Sequence, residues 1–160
     1  MNRVGLGWDI HGLAEGRQLV LGGVCIENKK GCVGHSDGDA LLHAIIDAML
    51  GAAGLGDIGT LFPDTDEAYR NISSCILLKR TNDILRGRNL RIINIDCNII
   101  LQTPKLASYI DRIKESIAKV LDIETGIIGV KAKTVEHMLN ELGTGDAVVC
   151  QAVVLLEEDK

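Results

Sequence analysis

The feature of the sequence that most constrains the fold is the stretch at residues 34–59, GHSDGDALLHAIIDAMLGAAGLGDIG. Its middle is apolar on nearly every side, a pattern typical of a helix that is buried within a protein core. Ser36 or Asp37 is the expected N-cap, because the side-chain oxygens of both residue types accept hydrogen bonds from free backbone N–H groups. The other elements of the chain are therefore expected to surround this helix.

Three polar residues interrupt the apolar run at intervals of four positions: Asp39, His43 and Asp47. Residues four apart lie along one side of a helix, so a carboxylate can reach an imidazole one turn away. Buried polar groups need partners, which leaves two interpretations open. Either hydrogen bonds alone satisfy these side chains, or His43 turns a ring nitrogen towards a metal ion while a carboxylate fixes its tautomer.

Residues 3–11, RVGLGWDIH, alternate in character and predict a strand. Apolar side chains would lie on one face, and two glycines followed by Asp9 and His11 would lie on the other. The glycines are expected to leave that second face open. An isolated Asp-x-His is common, but with His43 it forms a set of one carboxylate and two imidazoles. Such a set suits Zn²⁺ held by three protein ligands with one open position.

The remaining pattern predicts an α+β fold. Strands are expected at residues 18–21, 24–26, 90–101, 127–134 and 147–156, and helices at about 73–86 and 106–121. The glycine pair at 22–23 is typical of a tight β-hairpin. We expect a single-layer mixed β-sheet with helices packed on one face. Residues 1–160 should form one domain, because a chain of this length can bury a sizeable core.

Two further segments allow more than one interpretation. Residues 61–66, LFPDTD, are typical of an acidic turn. Lys131 and Lys133 alternate on one face of a strand, where lysines are usually solvated. Because Glu136 and a glycine-rich turn at 143–145 follow them, a phosphate or nucleotide pocket is a competing interpretation.

Composition and charge narrow the class of function. A formal net charge of −5 argues against nucleic acids and membrane surfaces as partners. The five cysteines lack any CxxC spacing, so we expect them to be reduced and mostly in the core rather than in disulfides or a zinc ribbon. Neither a signal peptide nor an apolar run of membrane-spanning length is evident. A cytoplasmic location is expected, or a plastid-type organelle if a transit peptide was removed.

Several motifs match one known family in order along the chain. They are GxGxDxH at residues 5–11, HSDGDALLHAIIDAMLGAAGLGDIG at 35–59, LFPDTD at 61–66, PK at 104–105 and KAKTxE at 131–136. Together they closely resemble the 2-C-methyl-D-erythritol 2,4-cyclodiphosphate synthase family. The resemblance implies a homotrimeric phosphorus–oxygen lyase of the non-mevalonate isoprenoid pathway, with active sites at subunit interfaces. Its metal-dependent reaction would cyclise 4-diphosphocytidyl-2-C-methyl-D-erythritol 2-phosphate and release CMP.

The resemblance also implies roles for matching positions. The implied metal ligands are Asp9, His11 and His43 for one Zn²⁺ per site, and Glu136 for a second divalent ion, Mg²⁺ or Mn²⁺. His35 and Thr134 would be catalytic by stabilising the transition state. The positions implied to bind the substrate are Ser36, Asp57, Ile58, Gly59, Phe62, Pro63, Asp64, Thr65 and Asp66. A cytidine pocket from a neighbouring subunit would be built by Leu101, Gln102, Thr103, Pro104, Lys105, Leu106, Ala107 and Lys133.

The tail departs from the common pattern of the family. Thr144 and Asp146 stand where many members carry Arg and Glu beside a central trimer cavity that can hold an isoprenoid diphosphate. Two alternative functions remain open from the sequence. One is a zinc-dependent phosphoesterase that uses water as its nucleophile, and the other is a non-catalytic trimeric module that binds isoprenoid phosphates. The retained metal ligands argue against the second alternative.

Overall fold

The fold is built on a five-stranded mixed sheet, as seen in a computed structural model that describes residues 1–34, 36–63 and 65–158. In chain order the strands are β1 (Asn2–Glu15), β2 (Leu19–Leu21), β3 (Val24–Ile26), β4 (Lys30–Cys32), β5 (Leu90–Ile100), β6 (Ile128–Lys133) and β7 (Ala147–Glu158). The α-helices are α1 (Ala40–Ala53), α2 (Ile58–Leu61), α3 (Ser74–Arg86), α4 (Ile110–Leu121) and α5 (Glu141–Thr144). Short 3₁₀ turns occupy Glu67–Tyr69, Ala107–Tyr109 and Thr125–Ile127.

The main sheet has the strand order β4-β1-β7-β5-β6, in which β5 and β6 run parallel and the other neighbours run antiparallel. The predicted α+β class and mixed sheet are therefore confirmed. Two details differ from the expectation. The β2–β3 hairpin forms a sheet of its own, and the backbone N–H groups of its turn residues Gly22 and Gly23 donate to the Asp39 carboxylate at the start of α1. Strand β4 was not predicted.

Helix α1 is buried on nearly every side, as its sequence predicts. The fully buried side chains include Leu41, Ile45 and Met49. Its N-cap is Asp39 rather than the expected Ser36 or Asp37, because the Asp39 carboxylate accepts a hydrogen bond from the backbone N–H of Leu42 at 3.0 Å. The N-cap residue therefore comes later in the sequence than local preference suggested.

The face of β1 that carries glycine is covered, which corrects the expectation that it is open. The backbone of α1 rests directly on this face, and a Cβ on Gly5 would lie 1.9 Å from the carbonyl oxygen of Ala48. The opposite face carries the exposed apolar side chains Val4, Leu6, Trp8 and Ile10. The alternation was thus predicted correctly, but glycine is required because the helix approaches β1 so closely.

Helices α3 and α4 pack their apolar sides into the core. In α4, Ile113, Ile117 and Leu121 follow one another at intervals of four and are fully buried. In α3 the buried apolar side chains are Leu77, Leu78 and Leu85, whereas Ile76 is 45% exposed.

All five cysteines are free thiols, as expected. Cys32, Cys97 and Cys150 are buried, Cys75 is half-buried and Cys25 is exposed, so most but not all are core residues. Among the residues that the structure describes, every helix is too short or too polar to cross a bilayer.

Candidate metal centre and adjoining cavities

Three side chains that are far apart in sequence converge at one point. Asp9 and His11 point from β1 towards α1, and His43 points back from the first turns of α1. The Asp9 Oδ2 atom lies 3.0 Å from His11 Nε2 and 3.1 Å from His43 Nδ1, and these two nitrogens are 3.3 Å apart. The predicted set of one carboxylate and two imidazoles is therefore assembled within one chain.

The outer nitrogen of each imidazole already has a hydrogen-bond partner. His11 Nδ1 lies 2.8 Å from the carbonyl oxygen of Val33, which can only accept, so this nitrogen carries the hydrogen. His43 Nε2 lies 2.8 Å from Ser74 Oγ and 3.2 Å from Ser36 Oγ. The inner nitrogens are left to face Asp9. An arrangement with an acceptor behind each histidine is typical of metal-binding imidazoles.

The electrostatics of the site favour a cation between these atoms. Burial acts to raise the pKa of Asp9, but hydrogen bonds with His11 and His43 outweigh burial and lower this pKa to about 2. The same hydrogen bond to Asp9 raises the pKa of His11, against the effect of burial. One anionic oxygen and two imidazole nitrogens are a donor set that fits a divalent ion such as Zn²⁺. The residues present therefore fit the expected metal.

The carboxylates of Asp39 and Asp47, the other two polar side chains along α1, accept hydrogen bonds from backbone N–H groups rather than from the His43 ring, contrary to one of the expectations. Asp39 accepts hydrogen bonds from the backbone N–H groups of Gly22 at 2.9 Å and Gly23 at 2.7 Å. Asp47 accepts one from the backbone N–H of Ile58 at 2.8 Å. Each carboxylate thus anchors a neighbouring segment to α1, and the carboxylate that contacts His43 is Asp9 from β1.

A cavity of about 330 Å³ opens beside the metal centre. It is lined by His11, Ser36, His43, Ile58, Gly59, Phe62, Tyr69, Ile72 and Leu77. Four of the expected substrate positions therefore line it, namely Ser36, Ile58, Gly59 and Phe62. Tyr69, Ile72 and Leu77 were missed, because their apolar character in the sequence is that of ordinary core residues.

Other expected substrate residues have local structural contacts instead. The Asp57 carboxylate caps α2 by accepting from the backbone N–H of Thr60 at 2.8 Å, and Asp66 accepts from the backbone N–H of Ala68 at 2.9 Å. Pro63 and Thr65 do not line the cavity. His35 and Asp64 lie outside the described residues.

A second cavity, of about 440 Å³, lies between the end of β5 and the start of α4. Its lining is Leu101, Pro104, Lys105, Leu106, Ala107, Ile110, Ala132, Lys133 and Thr134. It shares no lining residue with the first cavity. Most of the residues expected to build a cytidine pocket therefore line one cavity. Within one chain, this second cavity is separate from the first cavity beside the metal centre. Gln102 and Thr103 are absent from this lining.

Thr134 and Glu136 are the last two of the expected site residues. Thr134 donates a hydrogen bond to the exposed carboxylate of Glu136 at 2.6 Å, and neither residue lines the first cavity. Gln102 holds the segment that follows β6, because its Oε1 accepts hydrogen bonds from the backbone N–H groups of Val135 and His137. Lys131 forms an ion pair with Asp96, whereas Lys133 lines the second cavity.

At the atypical tail positions, the Asp146 carboxylate is already engaged within the chain. Lys30 Nζ lies 2.5 Å from one of its oxygens, and the Thr144 hydroxyl donates to the other at 2.6 Å. These two hydrogen bonds lower the pKa of Asp146.

Comparison with known proteins identifies the family. The sequence profile of the YgbB family matches residues 2–157, nearly the whole chain. The chain belongs to the YgbB family. A similar YgbB-family relative is the 2-C-methyl-D-erythritol 2,4-cyclodiphosphate synthase of Fusobacterium nucleatum, 53% identical over all of this chain and 99% of that protein.

Solved structures of the YgbB fold agree closely with this one. The bifunctional IspDF from Campylobacter jejuni matches with a TM-score of 0.95 and 41% identity, covering 100% of this chain and 43% of that longer one. A 2C-methyl-D-erythritol-2,4-cyclodiphosphate synthase in its CDP-bound form matches with a TM-score of 0.89 and 37% identity, covering 97% of this chain and 100% of that one. The family resemblance stated from the sequence is confirmed.

Proposed function

We propose that the chain catalyses the cyclisation of 4-diphosphocytidyl-2-C-methyl-D-erythritol 2-phosphate to 2-C-methyl-D-erythritol 2,4-cyclodiphosphate. The observation that carries this proposal is the convergence of Asp9, His11 and His43 in a chain 53% identical, over its full length, to a synthase of that name. The product serves isoprenoid precursor synthesis by the non-mevalonate route.

The reaction joins two phosphates of the same molecule. An oxygen of the 2-phosphate forms a bond to the β-phosphorus, the bond from that phosphorus to the bridging oxygen breaks, and CMP leaves with the bridging oxygen and its electron pair. No covalent intermediate with the protein is needed. The work of the protein is to fold the substrate so that its ends meet and to neutralise the charge that accumulates.

The metal centre would neutralise part of this charge. Asp9, His11 and His43 would hold Zn²⁺, which supplies Lewis-acid stabilisation of phosphate oxygens when bound. The exposed carboxylate of Glu136 would hold a second ion, Mg²⁺ or Mn²⁺. Thr134 beside it, together with His35, would stabilise the transition state at the reacting phosphate. An acidic chain needs such cations to gather a substrate of several phosphates.

The apolar lining of the first cavity supports the choice of cyclisation over hydrolysis. Ile58, Phe62, Ile72 and Leu77 surround the space next to His11 and His43. This lining would take the methylerythritol part of the substrate and exclude water, which would otherwise compete with the 2-phosphate as a nucleophile. Ser36 would contact the substrate from the edge of the metal centre.

A homotrimer with sites between subunits would bring the two cavities together. The face of β1 opposite α1 exposes Val4, Leu6, Trp8 and Ile10, and Leu6 is 72% exposed. Such a continuous apolar face is typical of a surface that a partner covers. The second cavity of a neighbouring subunit would then bind cytidine next to the first cavity. The relative solved with CDP bound supports a nucleotide site in this fold.

The single domain of residues 1–160 and the cytoplasmic location stay predictions. The buried side chains form one continuous cluster that draws on β1 to β7 and on α1, α3 and α4, which supports the single domain.

The experiment that tests the function follows the products by phosphorus NMR. The purified zinc-loaded protein is incubated with the diphosphocytidyl substrate and Mg²⁺, with and without a chelator. We expect equal amounts of CMP and a cyclic diphosphate, and loss of both on chelation. His43→Ala should bind no zinc and form no product, whereas Cys25→Ser, at an exposed site remote from the metal ligands in sequence, should retain activity.

Other product patterns would point to the alternatives. CMP or inorganic phosphate without the cyclic product would indicate a zinc phosphoesterase. Zinc binding without any turnover would indicate a non-catalytic module that binds isoprenoid phosphates.

A further inference from the structure

We propose that Ser74 is a positioning residue of the metal centre, which connects the Asp37 carboxylate to His43 and holds the imidazole with Nδ1 towards Asp9. This inference rests on the proposed metal centre. It adds two residues, Asp37 and Ser74, to which neither the motifs nor the comparisons assign a role.

The Ser74 hydroxyl lies between the Asp37 carboxylate and the His43 ring. Ser74 is the first residue of α3 and is fully buried. Its hydroxyl donates to Asp37 Oδ1 at 2.5 Å, and its backbone N–H donates to Asp37 Oδ2 at 2.9 Å. The two carboxylate oxygens thus take both hydrogens that Ser74 can donate. The hydroxyl group has a single hydrogen, and it is used in this contact.

The direction of the next hydrogen bond follows from this. Ser74 Oγ lies 2.8 Å from His43 Nε2 and has no hydrogen left to give, so the ring nitrogen must be the donor. A neutral imidazole carries one hydrogen. With that hydrogen on Nε2, Nδ1 presents its lone pair to the point where Asp9 and His11 converge. Asp37 therefore fixes the tautomer of His43 although the two side chains do not touch.

The neighbouring hydroxyl cannot fix the tautomer. Ser36 Oγ lies 3.2 Å from His43 Nε2, and it also accepts from the backbone N–H of Gly38 at the longer distance of 3.3 Å. Within residues 1–34, 36–63 and 65–158 no carboxylate accepts its hydrogen, so the hydroxyl can either donate to the ring or accept from it. If Ser74 lost its hydroxyl, both tautomers of His43 would be possible.

The two imidazoles of the site are thus oriented in equivalent ways by different groups. His11 is held by the carbonyl oxygen of Val33, which is an acceptor by its nature. His43 is held by a hydroxyl that behaves as an acceptor only because Asp37 takes its hydrogen. The contact between His43 and Ser74 also ties α1 to the start of α3, where backbone N–H groups lack partners within the helix.

The test compares Ser74→Ala with Ser73→Ala. Zinc affinity is measured by competition with a chelator of known affinity. We expect Ser74→Ala to bind zinc about 10- to 100-fold more weakly than the wild type, the usual effect of removing a partner behind a metal ligand. Ser73→Ala is the matched control, since the Ser73 hydroxyl caps the same helix through Cys75 at 3.3 Å without contacting His43. It should lose some stability but keep its zinc affinity within about twofold.

A second measurement needs no variant. A zinc-bound nitrogen carries no hydrogen, so the measurement uses the zinc-free wild type labelled with ¹⁵N-histidine. At alkaline pH, NMR should show His43 with its hydrogen on Nε2, exchanging slowly with solvent because it is donated to a buried oxygen. Hydrogen on Nδ1 of His43 would overturn the inference, as would equal zinc affinities for Ser74→Ala and Ser73→Ala. A wild type that binds no zinc would overturn the metal centre itself, which is a different result.

Discussion

Gly7 of β1 lies against Ala44 of α1 so closely that a Cβ on Gly7 would stand 1.8 Å from the Ala44 carbonyl oxygen. This contact is between backbones, which cannot rotate aside as a side chain can. It sets the distance between strand and helix directly beside the metal centre. His43 precedes Ala44, and Asp9 follows Gly7 by two residues, so the glycine decides whether their ligand atoms can meet.

The first prediction is that Gly7→Ala destabilises the protein and weakens zinc binding. The added methyl must push α1 away from β1, so we expect the free energy of unfolding to fall by about 3 kcal/mol, at the upper end for overpacking. Urea unfolding and zinc competition measure the two effects. Gly12→Ala is the matched control on the same strand, where the nearest atom to the new Cβ is 4.0 Å away. Equal stability of the two variants would contradict the prediction.

The second prediction concerns Asp39 and pH. Burial raises the pKa of Asp39 to about 6, even though backbone N–H groups of Gly23, Leu42 and Gly22 donate to it. In the unfolded chain the carboxyl has its ordinary pKa of 3.8. The folded protein therefore holds this proton more tightly, which stabilises it at low pH. That contribution is lost as the pH rises through about 6.

The variant Asp39→Asn does not titrate at this position. Its free energy of unfolding, relative to the wild type, should therefore rise by about 2 kcal/mol between about pH 4 and pH 7. Denaturant unfolding at matched zinc concentrations measures this difference. Asp83→Asn on α3 is the control, because Asp83 is exposed and pairs with Lys79 at 3.3 Å on the same helix. Parallel curves for wild type and Asp39→Asn would refute the pKa shift.

The third prediction is an order of cysteine reactivity. Cys25 is exposed, whereas burial raises the pKa of Cys32 and of Cys97 to about 12 and raises the pKa of Cys150 well above its ordinary value. Only the thiolate reacts readily. A thiol reagent at about pH 8 should modify Cys25 first and the three buried cysteines only on unfolding, as followed by mass spectrometry. Cys25→Ser should remove the fast phase; fast labelling of Cys97 in the folded protein would contradict this order.

The sequence predicts the convergence of Asp9, His11 and His43 because their placement depends on local periodicity. Asp9 and His11 share a face through the two-residue repeat of a strand, and His43 belongs to a helix that its apolar run identifies. The carboxylate partner of His43 could not be chosen in the same way. Asp39 and Asp47 have the right helical spacing, but distant backbone N–H groups at Gly22, Gly23 and Ile58 compete for them.

Contacts between residues far apart in the sequence could not be predicted for the same reason. Ser74 and Asp37 are 37 residues apart, and nothing in the local pattern of either links them to His43. Alternation likewise showed which residues of β1 share a face, but not that α1 would cover the glycine face and leave Trp8 exposed. That choice depends on how closely two backbones can approach.

The last prediction tests the exposed apolar face of β1 as the contact between subunits. Leu6 is 72% exposed there, and a charge at its position would have to be buried without a partner in an assembled trimer. We expect the wild type to be a trimer and Leu6→Glu to be a monomer, as measured by light scattering with size-exclusion chromatography. Activity should be lost with the trimer, because the second cavity of the neighbouring subunit would no longer face the metal centre.

The control for this variant is Ile76→Glu, which adds the same charge at an exposed apolar residue of α3. It should remain trimeric and active. Zinc affinity separates assembly from the metal centre, because Asp9, His11 and His43 all come from one chain. A monomeric Leu6→Glu that binds zinc normally but forms no product would place the missing component in the neighbouring subunit. A monomeric variant with full activity would show instead that one chain holds a complete site.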